Sequence, residues 1–211
     1  CLQALVAAEL AKEGLVSNPD IVTYMTNLLG QDRVVPEKFV EKLGKKWRVH
    51  DIWIKKYPCC FYMHRHLDAL LELTQQEKIS YDQVERITVH ISNMEEVCNR
   101  PEPKSIGDLQ FSFHNALSAI LLDKDVNFNH VALERIDEPK FKEARKKVEL
   151  LNHPGWIPKY GMDTPARIDV KLKDGRVLSK ERMQSIGAPT EPLTMEQFKA
   201  LFAKFTKGIL P

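Results

Sequence analysis

The stretch Ile168–Met183, IDVKLKDGRVLSKERM, indicates the fold most directly. Its first five residues alternate apolar and polar side chains, which is the period of a strand with one buried face. Asp174 and Gly175 supply a tight turn, and the chain then returns through a second run of strand-forming residues. We therefore predict a β-hairpin, and with it a sheet that contains antiparallel strands.

Upstream of the hairpin, other segments show strand character. Val84–Ser92 alternates apolar and polar residues with a period of two, and Trp47–Ile54 is rich in aromatic and β-branched residues. Lys147–Leu151 is a further short segment, directly after a predicted helix. We predict a strand in each. Residues 152–165, which hold several prolines and glycines, are predicted to form an irregular loop.

Helical patterns surround these strands. The opening of the chain is predicted to be all-helical, and the last predicted helix begins at a capping box of Thr194 and Gln197. With short strands and a hairpin, the order favours an α+β fold, in which a short mixed or antiparallel sheet is covered by helices. The predicted helices lie at residues 2–13, 19–29 with Asn18 as N-cap, 36–43, 60–77, 108–122, 139–146 and 195–205.

The bulk composition is that of an ordinary globular protein. Of 211 residues, 43% are hydrophobic and 28% charged, and the formal net charge of +2 implies neither nucleic acid nor an acidic membrane as a partner. No apolar run approaches the ~20 residues of a membrane span. Four cysteines are too few for a disulfide scaffold, so we expect reduced thiols and a cytoplasmic protein. The chain begins at Cys1 with a helix already under way, so we expect a fragment.

Chemistry-bearing residues concentrate in Lys55–Asp68, KKYPCCFYMHRHLD, where the predicted strand meets a helix. A metal site is disfavoured, because Cys60 and His64 at i, i+4 give two ligands, not four. Either Cys59 or Cys60 is an activated thiol near a helix N-terminus, or both are small buried hydrophobes. His64 can exchange a proton near neutral pH, whereas Lys55 and Arg100 can pair with a substrate carboxylate or be solvated surface charges. His114, in an apolar helix, is interpreted as a core histidine.

The same segment resembles the K-x-Y-P-C-C…H…(I/L)-D-A signature of the MmgE/PrpD family. That family includes 2-methylcitrate dehydratase, cis-aconitate decarboxylase and iminodisuccinate epimerase. The resemblance continues in order over nearly the whole chain. It is carried further by Val84–Val89, Asn99–Pro101, Phe111–Asp123, Lys171–Gly175, Pro192–Thr194 and Lys204–Phe205.

The resemblance implies a large helical domain and a smaller α+β lid that covers the active-site cleft. Residues 1–45 then correspond to the end of the helical domain and residues 46–211 to the lid. It also implies an enzyme without metal or cofactor that acts on small di- or tricarboxylates. Lys55 and Arg100 would bind the substrate, and His64 and Cys60 would be catalytic. Where this chain has Cys60 and Val97, the decarboxylase members carry His and Tyr.

The leading hypothesis is therefore a fragment or subunit of a hydro-lyase for a small hydroxy di- or tricarboxylic acid, inactive without the missing helical domain. The implied partners are that domain, from the same gene or a separate subunit, a carboxylate substrate, and a second copy in a homodimer. The alternatives are a non-catalytic binding or regulatory module that keeps the lid fold, and a small metal-binding protein.

Overall fold

The computed structural model of the chain describes residues 2–17, 19–30, 35, 37–156 and 165–208. The chain divides into two compact units, residues 1–49 and 50–211. The assignment of residues 1–45 and 46–211 to a helical domain and a lid stays a prediction. No helix among the described residues is both long enough and apolar enough to cross a membrane.

The first unit is helical, with α1 at Leu2–Lys12, α2 at Ile21–Leu29 and α3 at Glu37–Val40. The cap of α2 is Asp20, whose Oδ1 accepts the Thr23 N–H at 3.0 Å; the predicted cap Asn18 lies outside the described residues. The third helix is shorter than predicted, and Pro36 also lies outside the described residues.

The second unit contains a four-stranded sheet within its described residues, in the order β2-β1-β3-β4. The strands are β1 Val84–Ile91, β2 Val148–Asn152, β3 Ala166–Leu172 and β4 Val177–Arg182. β1 is parallel to β2 and antiparallel to β3, and β3 is antiparallel to β4. The predicted hairpin and the predicted mixed sheet of an α+β fold are both confirmed.

One face of the sheet is buried beneath helices. Strand alternation places Ile87, Val89 and Ile91 of β1 on that face, in register with Ile168 and Val170 of β3, and all of them are excluded from solvent. Helix α4 (His64–Gln76) packs on β3 and β4, and α6 (Phe113–Asp123) packs on α4 and β2. The remaining helices are α5 Ile106–Gln110, α7 Glu134–Asp137, α8 Pro139–Arg145 and α9 Met195–Thr206.

Two predictions of secondary structure are wrong. Trp47–Ile54 is not a strand: residues Arg48–Asp51 form a 3-10 helix, and Ile54 donates its N–H to the Gly187 carbonyl at 2.9 Å in a loop contact. Strand formers need a neighbouring strand to pair with, so their presence alone does not decide the structure. The single helix predicted over 108–122 is broken at Ser112, whose extended backbone and hydroxyl cap α6.

Candidate active site

The segment Lys55–Asp68 forms a bend that leads into α4, not a strand-to-helix junction. Pro58 is the central residue of a tight turn in which the Cys59 N–H donates to the Tyr57 carbonyl at 2.9 Å. The Cys60 N–H donates to the Gln110 carbonyl at 2.8 Å, which ties the bend to α5. A 3-10 turn at Phe61–Met63 then starts the helix. Backbone hydrogen bonds thus fix the bend internally and attach it to α5.

Asp68 is the anchor of this bend. Its buried carboxylate accepts Lys56 Nζ at 2.7 Å, the Tyr57 hydroxyl at 2.8 Å and the Ile186 N–H at 2.9 Å. Burial, with the Asp68 charge second, raises the pKa of Tyr57 far above its usual value, so Tyr57 is a permanent donor. The charge of Lys56 is therefore used structurally, whereas Lys55 is exposed.

A cavity of about 330 Å³ opens beside the bend. Lys55 and Cys60 line it, which brings two of the predicted site residues together. The bend also contributes Tyr57, Pro58 and Cys59 to the lining. The other walls come from distant segments that sequence patterns did not associate with the bend, namely Gln110, Phe111, Phe128 and Phe205.

The Cys60 thiol has an unusual electrostatic environment. A hydrogen bond from the Cys98 thiol, the largest cause, lowers the pKa of Cys60 to about 7, although burial opposes it. The Tyr62 N–H and the Lys55 charge act in the same direction as Cys98. Donation to Cys60 in turn raises the pKa of Cys98. Cys60, in the wall of the cavity, is therefore partly ionised to the thiolate near neutral pH.

Its neighbour Cys59 is different. Cys59 is buried, and burial, with the proximity of Cys60 second, raises the pKa of its thiol. Lys55 only partly opposes this shift. Of the two adjacent cysteines, Cys59 therefore behaves as a small hydrophobe and Cys60 as the ionisable thiol.

His64 does not line the cavity. Its side chain is 0% exposed and packs edge-on against Tyr57, with ring centroids 5.2 Å apart. Within the described part of the chain, neither ring nitrogen has a hydrogen-bond partner. Burial lowers the pKa of His64 to about 4, against the opposing charge of Asp68. The imidazole is therefore neutral at pH 7, and its catalytic role stays a prediction.

The remaining polar groups of α4 are structural. Arg65 pairs with Glu95 at 2.9 Å, with both side chains almost fully buried. Glu95 also accepts the Ser92 N–H at 2.8 Å, so this pair fixes α4 to the end of β1. His66 Nε2 lies 2.9 Å from the His90 carbonyl, and burial lowers the pKa of His66 to about 4.

Arg100 is exposed and is not part of the cavity wall. Its guanidinium lies 3.3 Å from Asp108 Oδ1, and its Nε donates to the Val97 carbonyl at 3.4 Å. Its carbonyl accepts the Ser112 hydroxyl, so the loop is tied to the start of α6. The structure thus places Lys55 and Cys60 in one cavity lining that includes neither Arg100 nor His64, and substrate binding by Arg100 also stays a prediction.

Comparison with protein families matches residues 57–211 to the MmgE/PrpD C-terminal domain. The match covers more than half of the chain, starts within the Lys55–Asp68 bend and includes the sheet and α9. The chain therefore belongs to the MmgE/PrpD family, a lyase-type family, as the resemblance in the sequence predicted.

Among curated proteins, the chain is similar to two cis-aconitate decarboxylases. The Homo sapiens protein is 27% identical over 157 residues and the Mus musculus protein is 28% identical over 159 residues. Each alignment covers 72% of this chain and 32% of the relative. The chain thus spans about a third of the length of the curated relatives that it matches.

Proposed function

We propose that this chain supplies the lid side of a cofactor-independent, hydro-lyase-type active site for a small hydroxy di- or tricarboxylic acid. A helical domain, from the same gene or a separate subunit, supplies the other side. The observation that carries the proposal is the cavity at the bend, where an exposed cation, Lys55, stands beside Cys60, a thiol that ionises near neutral pH. Family membership supports the reaction class.

In the proposed reaction, Lys55 pairs with a substrate carboxylate and orients it. The Cys60 thiolate removes a proton from the carbon next to that carboxylate, and the freed electron pair forms a carbon–carbon double bond. The hydroxyl group on the adjacent carbon leaves as water after it accepts a proton from the helical-domain side. The cation also stabilises the charge that develops on the carboxylate.

Cys60 occupies the position where the resemblance places a histidine in decarboxylase members. A thiol with a pKa of about 7 titrates in the same range as an imidazole, so it can replace one as a general base. This supports proton abstraction at the position of Cys60 and leaves decarboxylation as an outcome to be tested.

The first test measures the ionisation of Cys60 without any substrate. The rate of alkylation of the chain by iodoacetamide, measured against pH, should contain a component with a midpoint near 7. That component should disappear in Cys60→Ser, in which the other three cysteines remain. Cys59→Ser is the matched control and should keep the profile. A midpoint above 8.5, the ordinary value of a thiol, would remove the proposed base.

The second test is kinetic and uses the protein that contains this chain together with its helical domain. Lys55→Gln should raise KM for a hydroxytricarboxylate about tenfold, because one charged hydrogen bond is lost. Lys199→Gln on exposed α9 is the control. His64→Ala and Arg100→Ala test the two residues outside the cavity. Unchanged kinetics in Lys55→Gln would contradict the substrate-binding role.

The need for a helical domain has independent support in the first unit. Leu5, Leu28 and Leu29 are each more than half exposed, and no described residue of that unit is buried. Apolar side chains in such numbers mark a surface that another protein segment covers. Adding the helical domain should therefore restore turnover to a chain that is inactive alone.

A cytoplasmic location also remains part of the proposal, supported by the free thiols of Cys59, Cys60 and Cys98.

The second candidate is a non-catalytic binding module with the lid fold. It is favoured by the burial of His64, because a histidine that is outside the cavity lining supplies no acid or base there. The two functions separate in one comparison. A module binds tricarboxylates through Lys55 equally well in wild type and Cys60→Ser and shows no turnover with the helical domain present, whereas the lyase loses turnover in Cys60→Ser.

A further inference from the structure

A second, larger cleft of about 680 Å³ lies at a separate place in the second unit, between the Pro101–Lys104 loop, α6 and α8. It shares no lining residue with the cavity at the bend. Arg145 and His114 belong to its wall, together with three lysines. These lysines are Lys104, Lys142 and Lys146.

Arg145 carries a buried charge that is bound by neutral groups. The residue is 6% exposed, and its guanidinium donates to the carbonyls of Ile136 at 2.6 Å and Arg135 at 3.2 Å. A third, longer contact reaches Asn115 Oδ1 at 3.5 Å. Three of its five donors are thereby used, and none of the ion pairs found among the described residues includes it.

Three acids line the cleft: Glu102 is exposed, and the other two bond lysines of the same wall. Asp137 bonds Lys142 at 2.7 Å, and Glu143 bonds Lys146 at 2.6 Å. Burial lowers the pKa of Arg145, which expresses the cost of holding this cation away from water, although Asp137 opposes the shift from a distance. The buried guanidinium of Arg145 thus contacts only neutral acceptors, and no carboxylate of the wall forms an ion pair with it among the described residues.

His114 adds a second polar group in the same wall. It is 5% exposed, and its Nδ1 has no hydrogen-bond partner in the described part of the chain. A buried polar atom without a partner costs about 1–3 kcal/mol unless water or a ligand satisfies it. The residue that the sequence indicated as a satisfied core histidine is therefore unsatisfied at one nitrogen, beside a cation that lacks an anion.

We propose that this cleft binds a small organic anion that carries a carboxylate or phosphate group, with Arg145 as the counter-ion and His114 as a hydrogen-bond donor. The two remaining guanidinium donors match a planar or tetrahedral oxyanion, and Lys104, an exposed residue of the same lining, adds a positive charge. This inference does not depend on the proposed lyase function.

The competing explanation is that Arg145 only binds the carbonyls of α7, as a cap. Both roles predict lower stability in an Arg145 variant, so the test must measure binding. Isothermal titration of the whole chain with inorganic phosphate and, separately, with tricarballylate should show saturable binding below about 10 mM for at least one anion. Binding of phosphate alone, of tricarballylate alone, or of both identifies which oxyanion class is recognised.

Arg145→Lys should weaken that binding about tenfold, because the three donors of an ammonium, after two bonds to carbonyls, cannot replace the paired donors that a planar guanidinium presents to an oxyanion. His114→Gln should weaken it severalfold while the α7 contacts of Arg145 stay intact, so it is decisive even if Arg145→Lys fails to fold. Lys140→Gln, on the exposed side of α8, is the matched control. No saturable binding by either anion, or equal binding in wild type and His114→Gln, would overturn the proposal.

Discussion

Asp68 is the residue on which the geometry of the bend depends. One buried carboxylate satisfies a lysine, a tyrosine hydroxyl and the N–H of Ile186 in the loop after β4. The sequence marked Asp68 only as part of a family signature, and its partner at position 186 lies 118 residues away. No local pattern reveals such a contact, because it exists only after the loop has folded onto α4.

We predict that Asp68→Asn destabilises the second unit by about 3 kcal/mol, as expected when one member of a buried charged network is removed. An amide cannot accept from all three donors, since its NH₂ end must face at least one of them. Urea unfolding at pH 7 measures the loss, with the exposed Asp82→Asn as control. A loss no larger than that of the control would contradict the anchoring role.

Buried neutral histidines give a prediction for the dependence of stability on pH. Burial lowers the pKa values of His64, His66 and His114 to about 4 in the folded protein, against about 6.5 when unfolded. Between pH 6.5 and 4 the unfolded state therefore binds more protons. The stability contributed by these groups is complete above pH 6.5 and is lost as the pH falls towards 4.

His64→Gln isolates one of these groups, because His64 makes no side-chain hydrogen bond among the described residues. Between pH 7 and pH 5 the variant should lose roughly 2 kcal/mol less unfolding free energy than wild type. The exposed His50→Gln should follow wild type. Urea midpoints at the two pH values provide the comparison, and parallel curves for His64→Gln and wild type would show that His64 is not buried and neutral.

At the scale of elements, the loop after β4 fits closely against the chain that precedes the bend. Gly187 has φ +97, and a Cβ built there would lie 2.3 Å from the Ile54 carbonyl oxygen. The Ile54 N–H in turn donates to the Gly187 carbonyl at 2.9 Å. This contact replaces the strand pairing that the composition of Trp47–Ile54 predicted.

Gly187→Ala should therefore cost more stability than the backbone conformation alone explains. The matched control is Gly175→Ala in the hairpin turn, which shares a positive φ of +92 but has no atom within 4 Å of the position that a Cβ would occupy. We expect about 1–2 kcal/mol for the control and at least twice that for Gly187→Ala. Equal losses in thermal or urea unfolding would show that the loop does not pack on Ile54.

At the scale of the whole molecule, the hydrophobic core lies in the second unit. The residues of the buried cluster run from Tyr57 to Leu172, whereas the described residues of the first unit contribute none. We predict that residues 50–211 fold alone, with a cooperative thermal transition. Their melting temperature should lie within about 5 °C of that of the full chain, because the described residues of the first unit add nothing to the buried core. A non-cooperative transition, recorded by near-ultraviolet circular dichroism, would contradict this.

What the sequence by itself determined is what depends on near neighbours in the chain. The period of two in β1 and β3, the Asp174-Gly175 turn and the capping box at Thr194 each act over a few residues, and each is confirmed. The residue types and their order along the chain were also enough to identify the family. The strand wrongly predicted at Trp47–Ile54 shows the limit, since propensity does not create a pairing partner.

Only the tertiary structure decided which chemical groups share a site. It placed Lys55 and Cys60 in one cavity with Phe111, Phe128 and Phe205, and it buried His64 behind the cavity wall, against Tyr57. It also brought Arg145 next to His114 in a second cleft. The physical reason is that burial and electrostatics depend on surroundings contributed by distant segments, so the pKa of a thiol or imidazole is a property of the fold and not of its local sequence.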